Sequence, residues 1–332
     1  MCSFSFFFAL KNNEIARSLI MARELQLYNV NLAQNVFFSG AGKGKRRKIM
    51  PATIVQGEWY SEALGRPTQI SGLLPANLSN GRLQPGRKLK TIYLLPGALS
   101  HSEAVLTEMN LASYFEGVDL ADAAIFCVTP TFSYYVDYQK EYRYAHQYFT
   151  FMTRELIEQT RTLFPLSDKR EDTAIYGCSV GGYGAYYCGL NRPDVYGHVG
   201  AQSGMLDMKW AIEARPFMTI KHQRQFGDNL DISGKSYDLF HVAAELDREA
   251  SEGRKEIPRL FQSWGEEDYL AVPNENMHAH LKSLKNLDYT YKVIPGPHGW
   301  GIHNEGVNLF LDWFLADQKD RKSTRLNSSH RL

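Results

Sequence analysis

Cysteine is scarce in this chain of 332 residues: Cys2, Cys127, Cys178 and Cys188 are all there are. Four thiols without paired spacing exclude a disulfide scaffold and a zinc ribbon, and read as reduced side chains of a cytoplasmic protein. No apolar run approaches the roughly 18 residues that a membrane helix needs, so no membrane partner is expected. No unit of roughly 20–50 residues repeats, which excludes solenoids and propellers. A strong charge of either sign is also missing, since 37 Lys and Arg against 36 Asp and Glu leave +1. That balance hides an uneven distribution. Residues 1–49 hold eight basic and two acidic side chains (+6), residues 320–332 hold four and one (+3), and 50–319 therefore carries −8. An acidic body repels phosphate backbones, which excludes nucleic acid as a partner. With 44% hydrophobic and 22% charged residues, the chain is globular rather than disordered or collagen-like.

Both basic ends read as additions to that body. Before Met50 stands Lys45-Arg46-Arg47-Lys48-Ile49. Written with AGG codons, the two arginines spell a bacterial ribosome-binding site, and Lys48 and Ile49 supply the spacer before a start codon at Met50. Residues 1–49 are therefore expected to be an upstream leader or a disordered tail. They lack the charged start and small-residue cleavage site of a secretory signal. Asp320 to His330, "DRKSTRLNSSH", back-translates into a common sequencing-adapter sequence, and 320–332 is expected to be a disordered tail. The Asn77-Leu78-Ser79 sequon carries no meaning in a cytoplasmic bacterial protein.

Residues 50–319 alternate short β-branched or aliphatic runs with longer helical stretches. Strands are expected at 91–95, 123–128, 173–176, 198–203, 259–264 and 289–294, after a leading hairpin over 52–78. Helices are expected at 144–163, 182–191, 236–252, 274–286 and 304–316. In the last, Val307, Leu311 and Phe314 fall at helical spacing, with Leu315 extending the face. Apolar strands alternating with helices predict one α/β domain, a mostly parallel sheet covered on both faces. The strandless stretch from Met205 to Pro258 is expected to form a small cap.

The sharpest local signal is Gly177-Cys178-Ser179-Val180-Gly181, a G-x-S-x-G pentapeptide between the strand "TAIY" and the helical "GGYGAYYCGLN". Strand, tight turn and helix are what a nucleophile elbow requires, because a serine in a strained turn projects its hydroxyl only where flanking side chains are absent. The bland alternative is an ordinary glycine-rich turn. The amide of Val180, opening the helix, would point at a developing oxyanion, and a second donor is expected from the Ala98 amide in Pro96-Gly97-Ala98-Leu99. An activated serine also needs a base and an orienting acid, in the order Ser, Asp, His. Asp268 in "GEEDYL" and His298 in "GPHGW" each follow a strand on its carboxyl side, where such sheets place their sites. Rivals are Glu266, Glu267 and Asp288 for the acid and His303 for the base. Cys178 reads as packing, and His278 with His280 as surface residues rather than metal ligands. No metal and no cofactor are called for.

Several longer segments support the same assignment: "EWYSEALGRPTQISGLLP", "YLLPGALS", "KREDTAIYGCSVGGYGAYYCGLNRPDVYGHVGAQSGMLD", the "FGD" at 226–228, "GEEDYL" and "GPHGW". Together, over nearly all of 50–316, they resemble the esterase D/tributyrin-esterase group of α/β-hydrolases, which also contains feruloyl and acetyl-xylan esterases. The resemblance implies an α/β-hydrolase fold without metal or organic cofactor, with Ser179 as nucleophile, Asp268 as acid and His298 as base. One departure is Pro96-Gly97, where the family often has His-Gly. The implied activity is a serine carboxylesterase acting on a small-molecule or carbohydrate ester, of short-chain acyl or acetylated type. A thioesterase of the S-formylglutathione hydrolase kind and a non-catalytic binding protein are the alternatives. Nine aromatics lie between Phe132 and Phe151, and Tyr134 and Tyr135 are candidates to wall the substrate site, although packing under the cap would equally occupy them. The sequence leaves a homo-oligomer open.

Overall fold

The computed structural model describes residues 31–33, 52–75, 86–98, 100–109, 111, 123–129, 133–139 and 146–328. Most of 1–49, the Asn77-Leu78-Ser79 sequon, Leu99, Phe132, Tyr142 and residues 329–332 lie outside the described residues. The strands are β1 (Asn31–Ala33), β2 (Ala52–Ser61), β3 (Arg66–Pro75), β4 (Lys90–Leu95), β5 (Ala123–Val128), β6 (Thr173–Cys178), β7 (His198–Gln202), β8 (Arg259–Gly265) and β9 (Tyr289–Ile294). They form one sheet in the order β1-β2-β3-β5-β4-β6-β7-β8-β9. From β5 to β9 every neighbouring pair is parallel, whereas β1, β2 and β3 pair antiparallel in succession and β3 joins β5 antiparallel. This is the mostly parallel α/β sheet that the alternation predicts, and it agrees with the α/β-hydrolase fold that the resemblance implies.

The period of two in each strand builds the two layers. In β4, Tyr93 and Leu95 join the larger core on one face, while Ile92 and Leu94 join the smaller core on the other. The helices are α1 (Ala104–Thr107), α2 (Leu156–Leu163), α3 (Val180–Asn191), α4 (Met208–Ala214), α5 (Thr219–Phe226), α6 (Leu239–Ser251), α7 (Ala271–Ser283) and α8 (Trp300–Ser328). Residues Tyr148–Thr150 and a π-helical turn Phe151–Glu155 lead into α2. The second face is closed by α8, whose Val307, Phe310, Leu311 and Phe314 are fully buried. Gly200 of β7 makes that approach close: a Cβ there would stand 2.5 Å from the Phe310 ring. The backbone of α8 runs well past 304–316, because hydrophobic spacing marks only the turns that have a sheet beneath them.

As expected, no strand interrupts 205–258. Its helices lie over α3 rather than over the sheet's edge. The ring of Phe226 packs against Tyr183 and Tyr237, Tyr237 stacks on Tyr187, and the Tyr183 hydroxyl donates to the Tyr237 carbonyl. A glycine in α3 also leaves room for Tyr135, whose ring a Cβ on Gly184 would meet at 2.3 Å.

Candidate active site

Ser179 stands between the last residue of β6 and the first of α3 with φ 57° and ψ −118°. A side chain other than glycine in that region is strained, and such strain persists only where the surroundings enforce it. Here the backbone is boxed in. A Cβ on Gly177 would lie 2.0 Å from the Gly181 carbonyl oxygen, and one on Gly181 would lie 2.1 Å from the Leu95 carbonyl oxygen. Real Cβ atoms essentially never come within 3.0 Å of another heavy atom, so both positions exclude a side chain. The Ser179 amide donates to the Gln202 carbonyl at 2.9 Å, and its own carbonyl accepts from Gly182 and Met205. These bonds tie the turn to the end of β7. They leave the hydroxyl side of Ser179, 9% exposed, facing the loop after β4. There a Cβ on Gly97 would meet the Ser179 Cβ at 3.3 Å.

That loop has its own brace. The Tyr135 hydroxyl donates to the Pro96 carbonyl at 3.1 Å. Both Tyr134 and Tyr135 are completely buried, and their role as open walls of a substrate site is not what the structure gives them. Positive φ angles of 50° and 60° turn both rings inward under α3, Tyr134 against Tyr183 and Tyr135 against Gly184. An aromatic that does lie open near the site is Tyr269, 61% exposed, with its ring 4.5 Å from that of His298.

Asp268 follows β8 and His298 follows β9, at the same carboxyl edge as Ser179. Both carboxylate oxygens of Asp268 lie 2.9 Å from His298 Nδ1. The Leu270 amide donates to Oδ1 at 2.7 Å. Burial pushes the Asp268 pKa up, but hydrogen bonds from His298, the Ser203 hydroxyl and the Leu270 amide outweigh it and hold the carboxyl below its ordinary value. With Nδ1 bound to the carboxylate, Nε2 is the nitrogen left for chemistry. Of the acids weighed from sequence, Asp268 is the one bonded to His298. Glu266 and Glu267 are exposed, and Asp288 pairs with Arg259.

His303 packs edge-on against His298, ring centres 4.9 Å apart and planes at 90°. Burial, then the neighbouring charge of His298, lower its pKa to about 4, so it stands neutral beside the pair at pH 7. The Cys178 thiol, next to Ser179, is buried and pushed up to about 12, which removes it from nucleophilic chemistry near neutrality. His278 and His280 have protein partners, the Tyr289 hydroxyl and the Phe240 carbonyl. Among the described residues no group of three or more His, Cys, Asp or Glu side chains could hold a metal. No helix of the described residues is long and apolar enough to cross a membrane.

Sequence reasoning passed over Ser203 and Tyr269, and weighed His303 only as a rival base. Ser203, fully buried with φ 48°, comes directly after β7, where its hydroxyl helps to hold the Asp268 carboxyl below its ordinary value. The strand-end rule that singles out Asp268 and His298 applies to it equally. Tyr269 is simply the next residue after Asp268.

A glycine-boxed serine, a buried Asp–His pair and a sheet of this order agree with what comparison with known proteins returns. The model of the family described as "Putative esterase" matches residues 61–305. The chain belongs to that esterase family. An acetyl esterase from Caldicellulosiruptor saccharolyticus is 28% identical over 272 residues, covering 78% of this chain and 97% of that protein. Among solved structures, an S-formylglutathione hydrolase from Staphylococcus aureus superposes with a TM-score of 0.65 at 22% identity, over 79% of this chain and 98% of its own. The feruloyl esterase module from Clostridium thermocellum gives a TM-score of 0.55 at 16% identity, over 84% of this chain and 93% of its own. At these identities the two structures speak for the shared fold. Family and relatives together make this esterase a hydrolase acting on small-molecule esters.

Proposed function

We propose that this esterase is a serine carboxylesterase in which Ser179, His298 and Asp268 form the catalytic triad and the amides of Ala98 and Val180 form the oxyanion hole. The observation that carries the reading is the His298 Nδ1 contact with both oxygens of a buried, ionised Asp268, at the sheet edge where Ser179 is held at φ 57°. His298 Nε2 takes the Ser179 proton as the hydroxyl attacks the ester carbonyl, and Asp268 stabilises the imidazolium that forms. The imidazolium then protonates the leaving alkoxide, and water, deprotonated by His298, releases the acid from the acyl-serine. Neutral His303 helps by adding no second positive charge beside that imidazolium. Removing one amide donor from an oxyanion hole typically costs about 2.7–4 kcal/mol of transition-state stabilisation. The Tyr135 bond to Pro96 and the missing side chain at Gly97 support that geometry without a His-Gly pair.

Short-chain acyl or acetylated carbohydrate esters are the proposed substrates, in line with the acetyl esterase relative. The fold likeness to an S-formylglutathione hydrolase favours one second reading, a thioesterase using the same three residues. A cytoplasmic site of action agrees with the buried thiols at Cys127, Cys178 and Cys188, none of which is in a disulfide. Hydrolysis of p-nitrophenyl acetate and butyrate, with Ser179→Ala as control, tests the enzyme. Turnover abolished in the variant while its circular dichroism is unchanged supports the reading, and turnover that survives it refutes the assignment of Ser179. S-Formylglutathione in place of the oxygen esters separates the two substrate classes.

A further inference from the structure

A basic stretch interrupts the acidic body. Residues 208–226, from α4 through α5, hold Lys209, Arg215, Lys221 and Arg224 against a single acid, Glu213. Lys209 is paired with Asp238. Arg215 has a different environment. It is half-buried at the end of α4, with φ −129° and ψ 60° ahead of Pro216, which bars the helical conformation and turns the chain out of α4. Its guanidinium carbon lies 5.8 Å from the centre of the Tyr269 ring. That ring lies 4.5 Å from the imidazole of His298. The guanidinium is thus no farther from the imidazole than these two distances laid end to end.

Among the described residues no carboxylate pairs with Arg215. Half-burial makes an unpaired cation more costly than it is in water, and a guanidinium over a ring face keeps N–H donors free for a planar oxyanion. We propose that Arg215, braced on Tyr269, binds a carboxylate or phosphate carried by the ester substrate, so that the enzyme selects esters with an anionic group a few bonds from the scissile carbonyl. The proposal rests on the serine-esterase reading for the position of that carbonyl, but the anion site itself does not need turnover.

Two measurements test it. Calorimetric titration with succinate reads the site directly. Binding to the wild type is expected to be at least tenfold tighter than to Arg215→Gln (about 1.4 kcal/mol), with Arg215→Lys in between because it keeps the charge and loses the fork. Equal binding by wild type and Arg215→Gln overturns the proposal. Turnover then locates the anion. Monomethyl succinate against methyl butyrate carries it on the acyl side, and 4-acetoxybenzoate against phenyl acetate carries it on the leaving group. In one pair the anionic-to-neutral ratio of kcat/KM is expected to fall about tenfold in Arg215→Gln. An unchanged ratio in both pairs, with the wild type active, also overturns it and leaves Arg215 as a solvated brace for Tyr269. A wild type that cleaves none of the four esters defeats the esterase reading instead, and the titration alone then decides the anion site.

Discussion

Acid should weaken this fold well before its carboxylates titrate. His303 is 6% exposed and His222 is fully buried, and for each the Nδ1 atom has no hydrogen-bond partner among the described residues. Burial, and then nearby positive charge, lower both from the ordinary 6.5 to about 4. The folded state therefore binds fewer protons than the unfolded chain between these values, so stability is full above pH 6.5 and is lost as pH falls towards 4. A tenfold difference in proton affinity between the folded and unfolded chain is worth about 1.36 kcal/mol. Each histidine can therefore cost at most about 3.4 kcal/mol, and about 2 kcal/mol of that is already lost at pH 5. The pair thus removes about 4 kcal/mol between pH 8 and pH 5, against a total of about 5–15 kcal/mol for a typical domain. Urea unfolding followed by tryptophan fluorescence at pH 8, 6.5 and 5 measures this. The double variant His222→Leu, His303→Leu is expected to lose most of the slope. A residue of it remains from His146 and His278, which burial also lowers. A wild-type stability that is flat from pH 8 to 5, or a double variant as acid-sensitive as the wild type, would refute the reasoning.

Three further outcomes are expected. Asp268→Asn keeps the size of the side chain but presents an amide to His298, and kcat for p-nitrophenyl acetate should fall on the order of 10³–10⁴-fold with little loss of secondary structure. Gly181→Ala drives a methyl against the Leu95 carbonyl and should lower stability by at least about 1–3 kcal/mol, whereas Gly301→Ala, with nothing within 4 Å, should be neutral or gain about 0.5–1 kcal/mol; thermal melts compare them. Tyr135→Phe removes the hydroxyl that holds Pro96. It should cost about 1 kcal/mol in stability and lower kcat more than it changes KM, which steady-state kinetics separates.

Much of this architecture is legible in residue order alone. Short unbroken apolar runs announce strands buried on both sides, and the helical spacing of Val307, Leu311 and Phe314 announces the helix that closes one face. The elbow is legible because its chemistry forbids alternatives: Gly177 must lack a side chain against the Gly181 carbonyl, a local demand, and Gly181 must lack one against β4, a demand that every such elbow beside a parallel strand makes. Asp268 and His298 can be found by the strand-end rule because a parallel sheet gathers all its carboxyl edges on one side.

What residue order leaves open is which side chains share a space. Nine aromatics between Phe132 and Phe151 look alike in sequence, and only the left-handed turn at Tyr134 and Tyr135 sends those two rings inward, one to hold Pro96. The choice of Asp268 over its neighbours Glu266 and Glu267 depends on a turn that buries one carboxylate and exposes two. The meeting of Arg215, Tyr269, His298 and His303 joins two separate loops and the ends of two helices. The sequence by itself determined the sheet, the elbow and the residue types a triad needs, because these follow from local periodicity and local sterics. The tertiary structure alone decided which acid meets the imidazole, which rings face solvent and which cation stands beside the site, because these depend on long-range packing that no local pattern encodes.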